Sequence, residues 1–357
     1  MAKKALIAMS GGVDSSVSAY LIKNMGYDAT GITLKLFDND DIGEKKEKTC
    51  CSLDDIDDAR NVCLKIGIPY YVYNFKDSFK ENVISRFINA YENGTTPNPC
   101  IDCNRFIKFE KLMRRAEELE FDCVVTGHYA IVEYNNETGR YNLKKSVDIT
   151  KDQSYVLYSL TQKQLSKTLF PLGSMTKNHV REIAEELGLI NAHKHDSQDI
   201  CFVPDGDYAK FIEQYTGKKY PHGNFVDENG NVLGKHKGII RYTVGQRKGL
   251  GLALSHPMYV KQKDLKNNNV ILCDNEQLFS KELYANDINL ISCEKIDKPL
   301  KIKARVRYNQ PEQDATVEQI DENTIHVVFD QPQRAISKGQ AVVLYDGDNV
   351  VGGGTII

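Results

Sequence analysis

The sequence predicts an α/β fold for the N-terminal part of the chain, followed by a small mixed or β central domain and a C-terminal β-barrel. Three observations predict this arrangement. Short apolar strands alternate with helical segments in the first third, turn signals separate short strands after about residue 205, and β-like runs occupy the C-terminal end. The 357 residues suffice for two or three domains, and we expect boundaries at 1–204, 205–282 and 283–357.

The N-terminal elements follow from apolar runs and helical spacing. Expected strands are 4–9, 29–37, 70–75 and 123–126, and expected helices are 13–23, 56–66, 77–91 and 108–120. Ligands of parallel sheets bind beyond the carboxyl ends of the strands. Segments 10–16, 98–103 and 127–128 fall at or near those ends, so we expect them to share one site.

The C-terminal elements follow from β-like runs at 301–307, 313–320, 324–329 and 341–345, which turn residues separate. We expect these runs to form the barrel. The segment 37–49 is acidic and irregular, which predicts a mobile loop.

Composition excludes several classes of protein. Hydrophobic residues make up 41% and the net charge is -3, which rules out a disordered chain, a collagen and a coiled-coil rod. No apolar run reaches the roughly 18 residues of a membrane span, and the apolar stretch at 5–9 is too short for a signal peptide. Nine irregularly spaced cysteines are unlike a secreted disulfide scaffold. We therefore expect a cytoplasmic protein with no membrane partner.

Local charge is more uneven than the total. Residues 140–181 carry eight Lys or Arg against two acids, and residues 233–266 carry eight against one, whereas 38–58 carry nine acids against three lysines. Runs of charge are usually solvated faces. Two basic runs in a weakly acidic chain also favour a surface that follows a phosphate backbone.

The strongest local signal is the Ser-Gly-Gly-x-Asp-Ser loop between the first strand and the first helix. Glycines allow backbone N–H groups to point inward, and the helix N-terminus adds positive potential, so the loop predicts an anion cradle. Asp14 could hold magnesium. The loop has no Walker A lysine and no Gly-x-Gly-x-x-Gly pattern, which excludes the phosphate loop of kinases and GTPases.

Two cysteine loci are candidates for chemistry. Cys100 and Cys103 form a C-x-x-C in a Pro-rich loop ahead of a helix, where Arg105 and Lys108 should lower the thiol pKa. Cys201 follows two histidines, at 193 and 195, that could favour its thiolate. A lone C-x-x-C could be half of a zinc site. Sulfur transfer needs only two thiols, one carrying a persulfide and one resolving the disulfide left behind.

The glycine loop resembles the pyrophosphate-binding loop of the N-type ATP pyrophosphatases, which adenylate a carbonyl oxygen. Over essentially its whole length the chain resembles the tRNA-specific 2-thiouridylases. The residues that carry this resemblance are the segments 10–16, 96–104, 126–129, 151–155, 197–202, 242–249, 305–308, 339–340 and 352–354. The resemblance implies an adenine nucleotide alpha hydrolase-like N-terminal domain.

The resemblance also implies residue roles. ATP would be bound by Ala8, Met9, Ser10, Gly11, Gly12, Val13, Asp14, Ser15, Leu34 and Gly127. Asn98, Pro99 and Cys100 would hold the flipped-out wobble uridine, and tRNA would be touched by His128, Lys151, Asp152, Gln153, Arg307, Tyr308 and Gln340. Cys201 would carry the persulfide and Cys103 would be its partner, which implies a disulfide bond between them during turnover.

The implied reaction is ATP-dependent 2-thiolation of the wobble uridine of tRNAs for Lys, Glu and Gln, with release of AMP and pyrophosphate. Its cofactors are ATP and magnesium, and the sulfur comes from a cysteine desulfurase or a sulfur-relay protein. Extrusion of the base and recognition of tRNA shape by a β domain agree with this chemistry.

One departure from the family pattern leaves alternatives open. Many members carry Asp where this chain has Cys100, which puts a general acid/base role there in doubt. With Cys103 and Cys201, Cys100 could instead ligate an iron–sulfur cluster that delivers sulfide. Another tRNA thiolase, a small-molecule ATP pyrophosphatase and a zinc-stabilised RNA-binding module are the remaining alternatives.

Overall fold

The computed structural model describes residues 2–38, 53–194 and 200–357. Its helices are α1 (Val13–Asn24), α2 (Leu53–Ile66), α3 (Lys76–Phe79), α4 (Ser85–Glu92), α5 (Pro99–Asp102), α6 (Leu112–Glu118), α7 (Gln162–Ser166), α8 (Lys177–Glu186) and α9 (Tyr208–Thr216). Two π-helical segments, Lys80–Ile84 and Cys103–Lys111, join α3 to α4 and α5 to α6. Within these ranges, no helix is both long enough and apolar enough to cross a membrane.

The strands are β1 (Lys4–Ala8), β2 (Asp28–Lys35), β3 (Tyr70–Asn74), β4 (Cys123–Val125), β5 (Ala130–Asn135), β6 (Arg140–Lys145), β7 (Thr168–Leu169), β8 (Gly223–Val226), β9 (Val232–His236), β10 (Tyr259–Asp264), β11 (Asn269–Cys273), β12 (Phe279–Leu290), β13 (Leu300–Arg305), β14 (Gln313–Asp321), β15 (Thr324–Arg334), β16 (Ala341–Asp346) and β17 (Asn349–Ile356).

A parallel sheet of order β3-β2-β1-β4-β7 organises the N-terminal domain. Its central strand β1 is apolar because both of its faces are covered, and Ala5 pairs with Ala29 on one side and Cys123 on the other. Helices α1, α2 and α8 pack on one face, where Val17 and Val180 are fully buried, and α3, α4 and α6 pack on the other. The predicted α/β class is confirmed.

The C-x-x-C segment is helical, so its assignment to a loop is wrong. Asn98 caps α5 by accepting a hydrogen bond from the Cys100 N–H at 3.2 Å, and Pro99 occupies the first helical position. Proline is pre-organised for that position because its missing N–H would have no helical partner there. The helical path therefore begins at Pro99 and not near Lys108.

The other two sheets are antiparallel or mixed, as predicted. The central sheet has the order β10-β11-β8-β9, in which only the β11–β8 pair is parallel. The C-terminal strands follow the order β12-β15-β14-β13-β16-β17, and pairing of β12 with β17 closes them into a barrel. A hairpin of β5 and β6 from the N-terminal part extends this sheet, with Lys144 paired to Asn349.

Hydrogen bonds fasten the barrel to the N-terminal domain. The Asn289 amide donates to the carbonyls of Tyr158 and Leu160 at 2.7 and 2.9 Å. Arg105, next to the cysteines, donates two hydrogen bonds to the Asp287 carboxylate on β12, one of them at 3.0 Å. Bidentate guanidinium–carboxylate pairs restrict both distance and orientation. The barrel therefore holds the cysteine-bearing helix in a defined position.

We expect Asp287→Asn to lower the free energy of unfolding by about 1 kcal/mol, because both partners of this bidentate pair are partly exposed and solvent screens them. Asn keeps the shape and tolerates the left-handed backbone at this position, where φ is 49°. Urea denaturation measures the change. Asp297→Asn, which removes the exposed pair with Lys295, is the control and should have little effect. Equal losses in both variants would contradict a specific role for the Arg105 contact.

Candidate functional site

The loop between β1 and α1 presents backbone N–H groups that donate to no acceptor in the described part of the chain. Gly12 is the N-cap residue of α1 and has no side chain that could accept a hydrogen bond from the first turn. Among the described residues, the N–H groups of Gly12, Val13 and Asp14 have no hydrogen-bond acceptor. Unpaired N–H groups at a helix N-terminus bind anions because the donors converge and the helix dipole adds positive potential. The predicted anion cradle has this geometry.

Glycine is required at two positions around this loop because neighbouring backbone leaves no room for a Cβ atom. Gly11 has φ of 73°, and a Cβ there would lie 2.5 Å from the Asp55 carbonyl oxygen. A Cβ on Gly127, which follows β4, would lie 2.8 Å from the Ser15 nitrogen. Any larger residue at either position would push these segments apart. Close packing of three segments therefore shapes the cradle.

The structure brings the ten sequence-predicted nucleotide residues to one edge of the parallel sheet. They lie at the carboxyl ends of β1, β2 and β4 or in the first turn of α1: Ala8, Met9, Ser10, Gly11, Gly12, Val13, Asp14, Ser15, Leu34 and Gly127. The Ser15 hydroxyl accepts from the Ser10 N–H at 3.2 Å and donates to the Gly12 carbonyl at 3.0 Å. Their contact with a nucleotide stays a prediction.

Asp14, the predicted magnesium ligand, is held by two other side chains. The Lys177 ammonium donates to both carboxylate oxygens at 2.7 and 2.8 Å, and the Tyr129 hydroxyl donates to one of them at 2.7 Å. Lys177 is only 5% exposed. A magnesium ion at this carboxylate would have to displace the ammonium. The arrangement does not fit a magnesium site on Asp14, and we derive no step through the ion.

Four residues near the loop carried no functional assignment from sequence. Tyr129 and Lys177 hold Asp14, and Asn191 and Lys194 contact the Gly11 carbonyl. Tyr129 belongs to a motif that the resemblance includes, which could have marked it. The other three lie more than 150 residues away in sequence, and no local pattern connects them to the loop.

The Cys103 thiol is less acidic than predicted. Burial raises its pKa to about 11, and the nearby Lys108 opposes this only in part. The expectation of a lowered pKa is wrong for two reasons. Cys103 lies in the second helical turn and packs against the core, and Arg105 turns away to pair with Asp287. Cys103 is therefore a protonated thiol at neutral pH.

Cys100 is exposed near the start of the helix and lies beside barrel residues. Burial raises the pKa of Tyr308, and negative charge on Asp152 and Cys100 adds to the shift. The Tyr308 hydroxyl donates to the Asp152 carbonyl at 3.1 Å. The structure thus brings Cys100, Tyr308 and the 151–153 loop, all predicted substrate residues, into one neighbourhood.

Asp152 and His128 are buried and contact protein groups. The Asp152 carboxylate accepts from the Ser146 N–H at 3.0 Å and the Ser154 hydroxyl at 2.7 Å. The His128 ring shares a 2.6 Å hydrogen bond with the Thr126 hydroxyl, and burial holds its pKa well below the usual value. Both side chains support the local fold. Their direct contact with tRNA stays a prediction.

The neighbouring Gln153 and Lys151 are both partly buried and lie in different surroundings. The Gln153 amide oxygen accepts from the Tyr129 N–H at 3.1 Å, which joins this loop to the residue that holds Asp14. Lys151 lines an open cavity of about 620 Å³ together with Lys177 and Arg181. A polar, basic cavity beside the cradle suits an anionic substrate.

Gln340 and Arg307, predicted to touch tRNA, make contacts between domains. The Gln340 amide donates to the carbonyls of Thr96 and Pro97 at 2.8 and 3.1 Å. The Arg307 guanidinium donates to the carbonyls of Val244 and Ala335 at 3.1 and 2.9 Å. The first contact holds the segment before the cysteine helix, and the second joins the central domain to the barrel.

Cys201 lies at the end of the second cysteine locus. It packs against the same hydrophobic core as Cys103, and the next residue, Phe202, packs edge-on against Phe87 with ring centroids 5.2 Å apart. His193 pairs with Glu185 at 3.5 Å. His195 and the rest of the locus, 196–199, lie outside the described residues, as do Cys50, Cys51 and most of the acidic segment 37–49.

Cys100, Cys103 and Cys201 do not form a metal or cluster site in the described part of the chain. In the described ranges, no group of three His, Cys, Asp or Glu side chains is placed to hold a metal ion. Cys100, Cys103 and Cys201 therefore do not form a ligand set in this structure, and we derive no step through an iron–sulfur cluster.

Comparisons with known proteins match nearly the whole chain. The tRNA methyl transferase HUP domain family matches residues 3–205, the tRNA methyl transferase PRC-barrel domain matches 209–274, and the aminomethyltransferase beta-barrel domain matches 280–356. The tRNA-specific 2-thiouridylase MnmA of Clostridioides difficile (strain 630) is 54% identical over 356 residues, covering 100% of this chain and 98% of that protein. The protein of that name from Acetivibrio thermocellus is 53% identical and covers 99% of each chain.

Solved structures align more weakly. A 4-thiouridine synthetase bound to RNA and ATP shares 16% identity over 60% of this chain and 50% of its own, with a TM-score of 0.34. NMN synthetase from Francisella tularensis shares 16% identity over 62% of this chain and 79% of its own, with a TM-score of 0.35. These alignments carry no argument about function.

We expect the Cys103 thiol to react with iodoacetamide at a rate that rises about tenfold per pH unit between about pH 7 and pH 10, because only the thiolate reacts and burial raises its pKa to about 11. Mass spectrometry of the Cys103 peptide after timed quenching measures the rate. The urea-unfolded chain is the control, and its rate should level off near the ordinary thiol pKa of about 8.5. A plateau below about pH 9 in the folded protein would contradict the assignment.

We expect Lys177→Met to lower the free energy of unfolding by roughly 2–3 kcal/mol, because it leaves the partly buried Asp14 carboxylate without its cation. Urea denaturation measures the loss. In Asp14→Asn/Lys177→Met, the neutral amide no longer needs the ammonium, so the double variant should lose clearly less than the two single losses added together. Additive losses would show that the two side chains do not interact.

Proposed function

Because the chain belongs to the tRNA-specific 2-thiouridylase family, we propose that it catalyses ATP-dependent 2-thiolation of the wobble uridine in tRNAs for Lys, Glu and Gln. The observation that supports this most strongly is 54% identity to a 2-thiouridylase across essentially the full length of both chains. The anion cradle and the cysteine-bearing helix are the two chemical features that the reaction requires.

In the first step, ATP supplies the adenylyl group and the cradle binds its pyrophosphoryl part. The N–H groups of Gly12, Val13 and Asp14 stabilise negative charge that grows on the leaving pyrophosphate. The uracil 2-carbonyl oxygen attacks the α-phosphorus, the bond to pyrophosphate breaks, and the carbonyl oxygen becomes part of a good leaving group, AMP. A stacked anticodon base cannot reach this site, so the uridine must flip out.

In the second step, sulfur replaces oxygen at C2. The terminal sulfur of a Cys201 persulfide attacks C2, AMP leaves with the original oxygen, and the base is joined to Cys201 through a disulfide. The Cys103 sulfur then attacks the Cys201 sulfur and its thiol proton passes to the departing 2-thiouridine, which releases the neutral base and forms a Cys103–Cys201 disulfide. A dithiol reductant supplies two electrons to restore both thiols, and a persulfide-bearing donor protein reloads Cys201.

The barrel supports this reaction by holding the helix that carries the cysteines. Gln340 contacts the carbonyls of Thr96 and Pro97, and Asp287 pairs with Arg105, so the helix is fixed at its beginning and in its second turn. We place the flipped uridine between Asn98, Cys100 and Tyr308. The basic residues of 140–181 and 233–266 supply contacts with tRNA phosphates.

Sulfide from an iron–sulfur cluster on Cys100, Cys103 and Cys201 is the competing chemistry, which the presence of Cys100 suggests, although these cysteines form no ligand set in the described residues. Anaerobic purification followed by measurement of iron and acid-labile sulfide separates the two routes. The persulfide route predicts that an iron-free enzyme thiolates tRNA when given a persulfide donor. Activity that tracks iron content would contradict that route.

The central test is an assay with purified enzyme, ATP, a persulfide donor and tRNA transcripts. Thiolation, measured by mass spectrometry of the wobble nucleoside, should require ATP and release AMP. Cys103→Ser and Cys201→Ser should each lower thiolation at least 100-fold and leave AMP formation within about threefold, since adenylation needs no thiol.

Cys293→Ser is the matched control, because Cys293 is partly buried in the C-terminal domain away from both loci, and it should keep full activity. A transcript without a wobble uridine should neither be thiolated nor stimulate AMP formation. Thiolation that survives both cysteine substitutions would refute the sulfur step, and a small molecule that replaces tRNA in AMP formation would favour a different ATP pyrophosphatase.

A further inference from the structure

The carbonyl of Gly11 in the cradle is held from behind by two side chains of one distant turn. The Asn191 amide donates to this oxygen at 2.9 Å, and the Lys194 ammonium donates to it at 3.4 Å. The turn itself is closed by a hydrogen bond from the Lys194 N–H to the Asn191 carbonyl at 3.0 Å. Its two side chains therefore reach the Gly11 oxygen as one unit.

Holding this oxygen fixes the direction of the next backbone donor. The peptide bond between Gly11 and Gly12 is planar and trans, so its C=O and N–H point in opposite directions. When the Gly11 oxygen faces Asn191 and Lys194, the Gly12 N–H faces the open side of the loop, where it has no acceptor among the described residues. A peptide between two glycines rotates easily because neither residue has a Cβ. The hydrogen bonds from Asn191 and Lys194 therefore supply the restraint that side chains would otherwise give.

The orientation of the Asn191 amide is set by its surroundings. The Ser16 hydroxyl donates to the Gly12 carbonyl at 3.0 Å, so its oxygen accepts from Asn191, whose nitrogen lies 2.9 Å away. The amide nitrogen thus faces two acceptors, and a flipped amide would place oxygen against oxygen. The Asn191 side chain is 3% exposed and its oxygen has no partner within the described ranges. Among the described residues, this buried amide oxygen stays without a donor because the amide nitrogen makes both hydrogen bonds.

Lys194 joins the same carbonyl to helix α2. Its ammonium donates to Asp55 at 2.6 Å and to Asp58 at 2.7 Å, and Asp55 is the residue whose backbone crowds Gly11. Although burial opposes the charge, these carboxylates raise the pKa of Lys194 above its usual value. The lysine stays charged at neutral pH and ties the cradle to the helix behind it.

We propose that Asn191 and Lys194 are positioning residues for adenylation, which orient the Gly11–Gly12 peptide so that the Gly12 N–H points at the pyrophosphoryl group of ATP. The proposal rests on the proposed function for the identity of the ligand. Neither side chain needs to touch ATP, because each acts through the Gly11 carbonyl on the side of the peptide opposite the ligand.

The test measures the affinities of pyrophosphate and AMP separately by isothermal titration calorimetry on the full-length chain. In Asn191→Asp, a carboxylate replaces the donor and repels the Gly11 oxygen, so pyrophosphate affinity should fall at least tenfold while AMP affinity stays within twofold. Lys194→Met should lower pyrophosphate affinity about threefold, and Lys194→Arg should restore most of it.

Lys65→Met is the matched control. Lys65 lies on α2, and its ammonium donates a hydrogen bond to the Gly188 carbonyl, close to this turn, at 2.6 Å. Lys65 makes no hydrogen bond to Gly11 among the described residues. It should leave both affinities unchanged. Circular dichroism and thermal melting of each variant identify loss of fold. If Asn191→Asp does not fold, Lys194→Met provides the test, because Lys194 is more exposed than Asn191.

Three results would overturn the inference. They are pyrophosphate affinity within twofold of the wild type in both variants, a parallel loss of AMP and pyrophosphate affinity, and a wild-type protein that does not bind pyrophosphate. Failure of the proposed function has a different signature. In that case the variants lose pyrophosphate affinity as expected, and the wild-type enzyme forms AMP without thiolating tRNA.

Discussion

The site depends on a row of backbone N–H groups at the start of α1 that have no acceptor among the residues the structure describes. Folded chains pair nearly all of their backbone donors, so unpaired donors persist only when neighbouring groups cannot turn to meet them. Here the loop is immobilised from behind. Asp55 approaches Gly11, Gly127 approaches Ser15, and Asn191 takes the Gly11 carbonyl. The parallel sheet makes this possible, since β1 and β4 deliver both glycines to the same edge.

The burial of Cys103 has a consequence for the order of the chemistry. A thiol with a pKa of about 11 is almost entirely protonated at neutral pH, so it reacts slowly with disulfides and oxidants that reach it by chance. In the reaction that we propose, Cys103 resolves the disulfide, and a protonated thiol suits that role because it should act only after the persulfide sulfur has reached the base. Cys100, in contrast, is exposed to solvent. The two cysteines of one C-x-x-C are therefore not equivalent, although their spacing suggests a pair.

The sequence predicts those parts of the molecule that depend on local patterns. The glycine loop, the alternation of strands and helices, and the barrel strands follow from turn residues and hydrophobic periodicity, and the fold class is confirmed. The cysteine helix was misassigned because the C-x-x-C was interpreted as a loop motif, although Asn98 and Pro99 are ordinary helix-start signals. The β5–β6 hairpin was missed because its partner strand β17 lies about 200 residues later. The predicted domain boundaries remain predictions.

Long-range contacts explain why much of the site could not be derived from sequence. Lys177, at the start of α8, and Asn191 and Lys194, in the turn that follows α8, act on the loop from more than 150 residues away in sequence. Burial of Cys103 raises its thiol pKa, against the prediction, and Arg105 pairs with Asp287 instead of the thiol. The same kind of contact gives the barrel its second role. A barrel that only recognised tRNA shape would need no hydrogen bonds to Thr96 and Pro97. Because the barrel makes these hydrogen bonds through Gln340, a tRNA that displaces Gln340 would also release the segment leading to the cysteines. Substrate binding and the position of the thiols would then depend on the same hydrogen bonds.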